Sequence, residues 1–352
     1  MKIELKTPTV ESEIYLGEGS IDEHLPRLLD GKKHFVLTDS NVYALHRGFF
    51  DRWFSGQEIF VLAAGEEQKN FASLQSVLEK MVGAGLRRSS KLFAVGGGVI
   101  GDVGGLCAAL YMRGIDYVQI PTTLLAMVDS SVGGKTAVDI GGVKNAVGAF
   151  HQPKTVLIDP SFLSTLPDRE WKCGFGEIVK YAALDTRTFD ALEQNGGVMT
   201  KALAVELIEN SIRFKARVVE RDERESGERK CLNIGHTTAH AIELTYGLSH
   251  GESVLWGMKI ETAIAMQYGV CRRSHGERIL AFVEKALAQE PIGKIDFSTL
   301  GQAAKKAARD KKNSDGENVV MAVAKDYGEW TLFSLPLETY VQEMCLCVRS
   351  KT

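Results

Sequence analysis

Short apolar runs recur through the first half of the chain, at His34–Leu37, Ile59–Leu62, Leu92–Val95, Tyr117–Ile120 and Val156–Ile158, each closed by a polar or glycine-rich turn. Stretches of helical period lie between them, Ala72–Gly83 among them. Strands that alternate with helices predict a parallel sheet with helices on its faces, hence an α/β fold. The alternating start, Lys2 to Tyr15, reads as an edge strand or hairpin. Ligands of such sheets sit beyond the carboxyl ends of the strands, so the turns there are the places to look for chemistry. After about Pro160 the texture changes, and Arg169–Asn195, Ala202–Glu220, His236–Tyr246 and Ser253–Tyr268 read as helices. The expectation is a parallel-sheet domain over 1–163 and a mainly α-helical domain over 164–352, with the boundary near Ser161–Pro167.

Composition narrows the function classes. A formal charge of −3 over 352 residues gives no electrostatic case for a nucleic acid or membrane partner. No apolar run approaches the roughly 20 residues needed to span a bilayer, and the N-terminus lacks the apolar core of a signal peptide. The six cysteines are scattered, with only Cys345 and Cys347 close together. Reduced thiols of a cytoplasmic protein are the expectation.

Several motifs are able to carry chemistry. Gly96-Gly97-Gly98-Val99-Ile100-Gly101-Asp102 follows the strand Leu92–Val95 and contains G-x-G-x-x-G. Its glycines let backbone N–H groups approach a phosphate, though the motif sits in a later strand–helix unit than the usual dinucleotide fingerprint. Pro121-Thr122-Thr123 and Asp129-Ser130-Ser131-Val132-Gly133-Gly134-Lys135-Thr136 combine hydroxyls, glycine amides and a lysine, with Lys144 and Asn145 close in sequence. Val128 stands where a P-loop needs its first glycine, which argues against a nucleotide triphosphatase and leaves an anion cradle or a plain polar loop. His236 and His240 are one helical turn apart and His250 follows, three of the chain's eight histidines within fifteen positions. Spacing nominates His236 and His240 as a metal pair, and the alternative is three packing histidines. In Gly174-Phe175-Gly176-Glu177-Ile178-Val179-Lys180-Tyr181, Glu177 and Lys180 share a helix face, either as a surface ion pair or as a buried carboxylate that needs a cation or metal. Lys215–Lys230 is dense in charge and by default a solvated face.

Together and in this order the motifs resemble those of 3-dehydroquinate synthases, within the sugar phosphate cyclase superfamily. The resemblance runs from about Thr38 to Gly328 and is most specific at Gly96–Asp102, Pro121–Thr136, Gly174–Tyr181, Leu232–Glu243 and His250–Glu252. It implies a Rossmann-like N-terminal domain binding NAD, a helical C-terminal domain carrying zinc (or cobalt), an active site in the cleft between them, and a homodimer. By the same resemblance Glu177, His236 and His250 bind the metal, while His240 faces the substrate. NAD falls to Asp39, Asn41, Glu66, Lys69, Gly98, Val99, Ile100, Gly101, Asp102, Thr122, Thr123, Lys135 and Lys144, with the turn Phe162, Leu163, Ser164, Thr165 closing over it. The substrate falls to Arg113, Asp129, Lys135, Asn145, Lys180, Lys215, Arg229, Asn233, His240 and Lys312, with Lys311 the alternative to Lys312. Two departures are local: Thr237-Thr238-Ala239 between the histidines, where the family more often has an aromatic and a glycine, and Gly104-Gly105-Leu106, where Ala-Gly-Phe is more usual.

The implied reaction converts 3-deoxy-D-arabino-heptulosonate 7-phosphate to 3-dehydroquinate and phosphate, a step of the shikimate pathway to aromatic amino acids. It runs by transient oxidation by NAD, phosphate elimination, reduction and intramolecular aldol closure. The alternatives are another sugar phosphate cyclase (2-deoxy-scyllo-inosose or valiolone type), a metal-dependent polyol dehydrogenase, and a non-catalytic NAD-binding protein. The cations around Lys215 and Arg229 argue against a small uncharged polyol.

Overall fold

The structure, a computed structural model, describes residues 1–288, 299, 301, 303 and 317–349. The chain divides into two compact units. One comprises Met1–Trp171 and Lys215–Arg224, the other Lys172–Phe214 and Glu225–Thr352.

The first unit is built on a seven-stranded sheet. Its strands are β1 (Lys2–Lys6), β2 (Glu11–Leu16), β3 (Phe35–Asp39), β4 (Glu58–Leu62), β5 (Leu92–Gly96) and β6 (Tyr117–Pro121), together with a later strand, Thr155–Ile158. In space the order is β1, β2, Thr155–Ile158, β6, β5, β3, β4. Only β1 runs antiparallel, paired with β2 as a hairpin, Ile3 opposite Ile14. Every neighbouring pair from β2 to β4 is parallel. The apolar runs of the sequence are these parallel strands; β3, β5, β6 and Thr155–Ile158 are buried on both faces as a covered sheet requires, while the edge strand β4 is only partly buried.

α1 (Ser20–Leu29), α2 (Ser40–Leu45), α3 (Arg47–Trp53), α4 (Phe71–Gly83) and α5 (Gly98–Leu110) accompany the sheet. Leu74, Val77 and Met81 of α4 join Val103, Leu106 and Cys107 of α5, Phe35 and Leu37 of β3 and Leu92 of β5 in one core. Each large side chain buried there contributes about 1.5–3 kcal/mol. α5 lies close on its neighbours because it carries glycine where a side chain would collide. A Cβ on Gly105 would stand 2.4 Å from Thr136 Cγ2.

The segment after β6 departs from a plain polar loop. Ala126–Ser130 forms a π-helical turn, and the chain then folds into a separate two-stranded hairpin, β7 (Lys135–Ile140) and β8 (Val143–Phe150). Gly141 and Gly142 turn it with φ of 57° and 76°, the paired positive φ that a two-residue hairpin turn demands. The closing sheet strand, β9 (Thr155–Ile158), follows.

The second unit is mainly helical: α6 (Asp168–Ala182, from Lys172 on), α7 (Thr186–Gln194), the first part of α8 (Lys201–Arg221), α9 (His236–Tyr246), α10 (His250–Gln267), α11 (Arg273–Ala288) and a closing helix, Leu337–Arg349. A hairpin, β10 (Asn318–Asp326) with β11 (Glu329–Pro336), belongs to the same unit. The single helix expected over Arg169–Asn195 is two. Asp185 starts the second, its carboxylate accepting from the Thr188 N–H at 3.1 Å and hydroxyl at 3.0 Å.

Candidate active-site elements

In the first unit the strand order reverses between β3 and β5: β4 continues to one side of β3, while β6 and β9 follow on the other side of β5. The crevice beyond such a reversal is where open α/β sheets take ligands. The carboxyl end of β3 delivers Asp39, whose carboxylate caps α2 by accepting from Asn41 N–H at 2.9 Å and Val42 N–H at 3.0 Å. β5 delivers Gly96–Gly98 into the N-terminus of α5, where Gly97 offers no side-chain cap and so leaves first-turn N–H groups open to an anion. Thr122 and Thr123 follow β6 alongside, and the Thr122 N–H donates to the Gly96 carbonyl at 3.0 Å. The Thr122 hydroxyl is buried and makes no hydrogen bond among the described residues.

Charged groups gather around this end of the sheet. Lys69, 7% exposed, pairs with Asp102 at 2.6 Å. Burial lifts the Asp102 carboxyl above its usual range, against the pull of Lys69, while Asp102 and Glu66 overcome burial to raise Lys69. Lys144 of β8 lies 3.5 Å from Glu66. The Lys69 carbonyl accepts from Asp139 N–H at 2.8 Å, and the Asp139 carboxylate accepts from Asn145 N–H at 2.7 Å. Asn145 takes a positive φ of 51°. Phe162 and Leu163 are buried in a 3-10 turn, Pro160–Thr165, while Ser164 and Thr165 are exposed; Thr165 Oγ1 lies 2.9 Å from His46 Nε2.

Lys215 lies in the charge-dense run, yet it is 5% exposed and reaches Asp129, 2.6 Å from its carbonyl and 3.0 Å from its carboxylate. The solvated-face reading therefore fails for Lys215, and also for Arg229, which is 1% exposed in the second unit. Lys135, by contrast, is exposed at the start of β7. Arg113 is exposed too, beyond the C-terminal end of α5. Thirteen residues of helix put that end roughly 20 Å from Gly98, so Arg113 does not join the crevice of its own chain. Lys312, with its neighbour Lys311, lies outside the described residues.

The second unit holds a compact cluster. α6 buries Glu177 completely and Lys180 one turn on, and the two form an ion pair. His236 opens α9 and His250 opens α10. One atom from each of Glu177, His236 and His250 lies within 4.8 Å of the others. Glu177 Oε1 is 3.0 Å from His250 Nε2 and 3.4 Å from His236 Nε2. His240, which spacing paired with His236, stays outside this group; its ring stands 5.7 Å from that of His236. Asn233 donates to Glu225.

The donor set fits a divalent cation. His236 Nδ1 lies 3.0 Å from the Ile234 carbonyl, which can only accept, so the ring proton sits on Nδ1. Burial pushes His236 down to about 4, against the pull of Glu177, so the ring is neutral and Nε2 turns a lone pair toward a carboxylate oxygen. Two acceptors facing each other in a buried place call for a cation. His250 is raised to about 10, its hydrogen bonds to Glu177 and Glu243 outweighing burial. Glu243, 3.5 Å from His250 Nδ1, steadies the second ring as the Ile234 carbonyl steadies the first. Glu177 itself is held well below its ordinary range, the Lys180 ammonium beside it overcoming burial. Glu243 escaped the sequence reading, although it lies seven residues after His236 on one helix face, where a signal existed.

Known proteins resemble the chain along most of its length. The family profile described as 3-dehydroquinate synthase N-terminal matches residues 59–173, and that described as 3-dehydroquinate synthase C-terminal matches residues 174–313. A 3-dehydroquinate synthase of Rhodospirillum rubrum is 39% identical over 338 residues, covering 91% of this chain and 88% of its own. Among solved structures, a 2-deoxy-scyllo-inosose synthase complexed with carbaglucose-6-phosphate, NAD+ and Co2+ superposes with a TM-score of 0.87 at 24% identity, over 98% of this chain and 99% of that one. A 2-epi-5-epi-valiolone synthase from Streptomyces hygroscopicus with NAD+ and Zn2+ bound gives 0.84 at 24% identity, over 97% and 98%.

Proposed function

Because the chain belongs to the 3-dehydroquinate synthase family, we propose that it converts 3-deoxy-D-arabino-heptulosonate 7-phosphate to 3-dehydroquinate and inorganic phosphate, as a carbon–oxygen lyase of the shikimate pathway. The observation that carries the reading is the Glu177, His236, His250 cluster with a buried lysine against its carboxylate, in a chain matched by the family along both halves. When bound, NAD takes a hydride and later returns it, and zinc or cobalt polarises the substrate's hydroxyl and ketone oxygens.

The chain's own residues hold and place the reactants. The open N–H groups at Gly98–Asp102 suit the cofactor's pyrophosphate, with Thr122 and Thr123 beside them. Asp39, Asn41, Glu66, Lys69, Lys144 and the Phe162–Thr165 turn complete the NAD set. Glu177, His236 and His250 hold the metal. Lys135, Lys180, Lys215 and Arg229 supply positive charge for the substrate's phosphate and carboxylate, joined by Lys312. Asp129, Asn145, Asn233 and His240 offer hydrogen bonds to its hydroxyls. The departing phosphate takes the proton next to the transient ketone, so no strongly basic side chain is required. A fixed conformer makes the closing aldol step intramolecular. We further propose a cytoplasmic homodimer; among the described residues no helix is long and apolar enough to cross a membrane.

The likeness to 2-deoxy-scyllo-inosose synthase keeps a second cyclase reading in view. Turnover of metal-loaded protein on a panel of sugar phosphates separates the two. Cyclisation of the heptulosonate phosphate alone supports the proposal, and cyclisation of glucose 6-phosphate instead would replace it.

A further inference from the structure

His236 stands at a helix end that has no cap of its own. Gly235 precedes it in the left-handed region, φ 77°, and offers no side chain to accept the first-turn N–H groups of α9. The acceptor comes from α10. Glu261, 1% exposed, accepts the Gly235 N–H on Oε2 at 3.0 Å and the Thr238 N–H on Oε1 at 2.8 Å. One buried carboxylate thus grips the backbone on both sides of His236. The helices meet closely enough for this because both positions are glycine. A Cβ on Gly257 would lie 1.9 Å from the Gly235 carbonyl oxygen, and one on Gly235 would lie 2.7 Å from Met258 Cγ. A carboxylate is costly to bury unless donors meet it, and the positive end of a helix supplies both donors and field.

We propose that Glu261 is a positioning residue for the metal, a helix cap supplied by a neighbouring helix that fixes His236 Nε2 toward Glu177. The proposal rests on reading Glu177, His236 and His250 as the metal ligands. The ring of His236 is anchored through Nδ1 to the carbonyl of Ile234, the residue before Gly235. Any shift of Gly235 therefore moves both the Cα of His236 and the anchor of its ring. A glutamine in place of Glu261 keeps one acceptor but turns an NH2 toward the second backbone N–H. Two donors then face each other, and the helix end must move.

The test measures zinc affinity of the metal-stripped full chain by competition with a chromogenic chelator. Glu261→Gln should bind zinc at least about tenfold more weakly, the lower end of what outer partners of metal ligands are worth, with its far-ultraviolet circular dichroism unchanged. Tyr340→Phe is the control: it removes the hydroxyl 2.7 Å from Thr238 Oγ1 without touching the capped N–H groups, and it should keep wild-type affinity. His236→Ala tests the underlying reading. Should it bind zinc as well as wild type, the metal assignment fails and takes this proposal with it. Loss of zinc in His236→Ala alongside wild-type affinity in Glu261→Gln would overturn the Glu261 role alone. An equal loss in Tyr340→Phe would also overturn it, by showing general loosening. Should Glu261→Gln fail to fold, Glu261→Asp is measured in the same way; it keeps the charge but shortens the reach, and wild-type affinity there would sink the proposal.

Discussion

Replacing Glu177 by glutamine probes the buried cluster without changing its volume. Glu177 is fully buried and Lys180 is 1% exposed, so their ion pair is lost in a place with little water to compensate. Breaking a buried pair on one side costs about 3–5 kcal/mol. For a unit of this size each kcal/mol is worth roughly 2–4 °C in melting temperature, giving a fall of roughly 6–20 °C. The assay is thermal unfolding followed by circular dichroism with chelator present, so that metal does not mask the effect. Glu177→Gln with Lys180→Met should recover most of the loss, since an apolar chain no longer demands a counter-charge. A double variant no more stable than Glu177→Gln alone would refute the idea that the pair, rather than the carboxylate's other contacts, carries the cost.

Other outcomes follow from individual contacts. Arg229→Ala should raise KM for the sugar phosphate or lower kcat while leaving NAD affinity, read by fluorescence titration, unchanged. Gly105→Ala brings a Cβ to 2.4 Å from Thr136 and should destabilise by about 1–3 kcal/mol in denaturant titration, whereas Gly104→Ala, with no neighbour nearer than 3.0 Å, should cost less. Buried His34 is depressed by desolvation, its Nδ1 accepting from Lys91 N–H at 3.0 Å. Its contribution is therefore intact above about pH 6.5 and is lost as pH falls through its lowered value. Unfolding measured across that range should show a steeper acid loss for wild type than for His34→Gln.

The parallel strands were legible because burial on both faces leaves an unbroken apolar run, as at Leu92–Val95. The hairpin β7–β8 was not. Its strands lie outside the main sheet, β8 exposes much of its length, and Lys135, Lys144 and Asn145 give it the look of a loop. Gly141-Gly142 was the one local signal of a turn. Charge density misled at Lys215 and Arg229, because only tertiary contact shows that a charged side chain is buried. Helical spacing favoured His236 with His240, whereas the cluster draws Glu177 from α6 and His250 from α10, a convergence that periodicity does not encode. The resemblance to a known family supplied that ligand set. Glu261 has no sequence signal at all, since its role depends on where α10 crosses α9.

The most direct test of the proposed activity follows phosphate release from 3-deoxy-D-arabino-heptulosonate 7-phosphate with NAD and zinc present, while the absorbance of reduced cofactor is recorded in parallel. Phosphate and 3-dehydroquinate should appear in equal amounts with no net NADH. Folded, metal-loaded protein that releases no phosphate, or that accumulates NADH on a polyol instead, would contradict that activity.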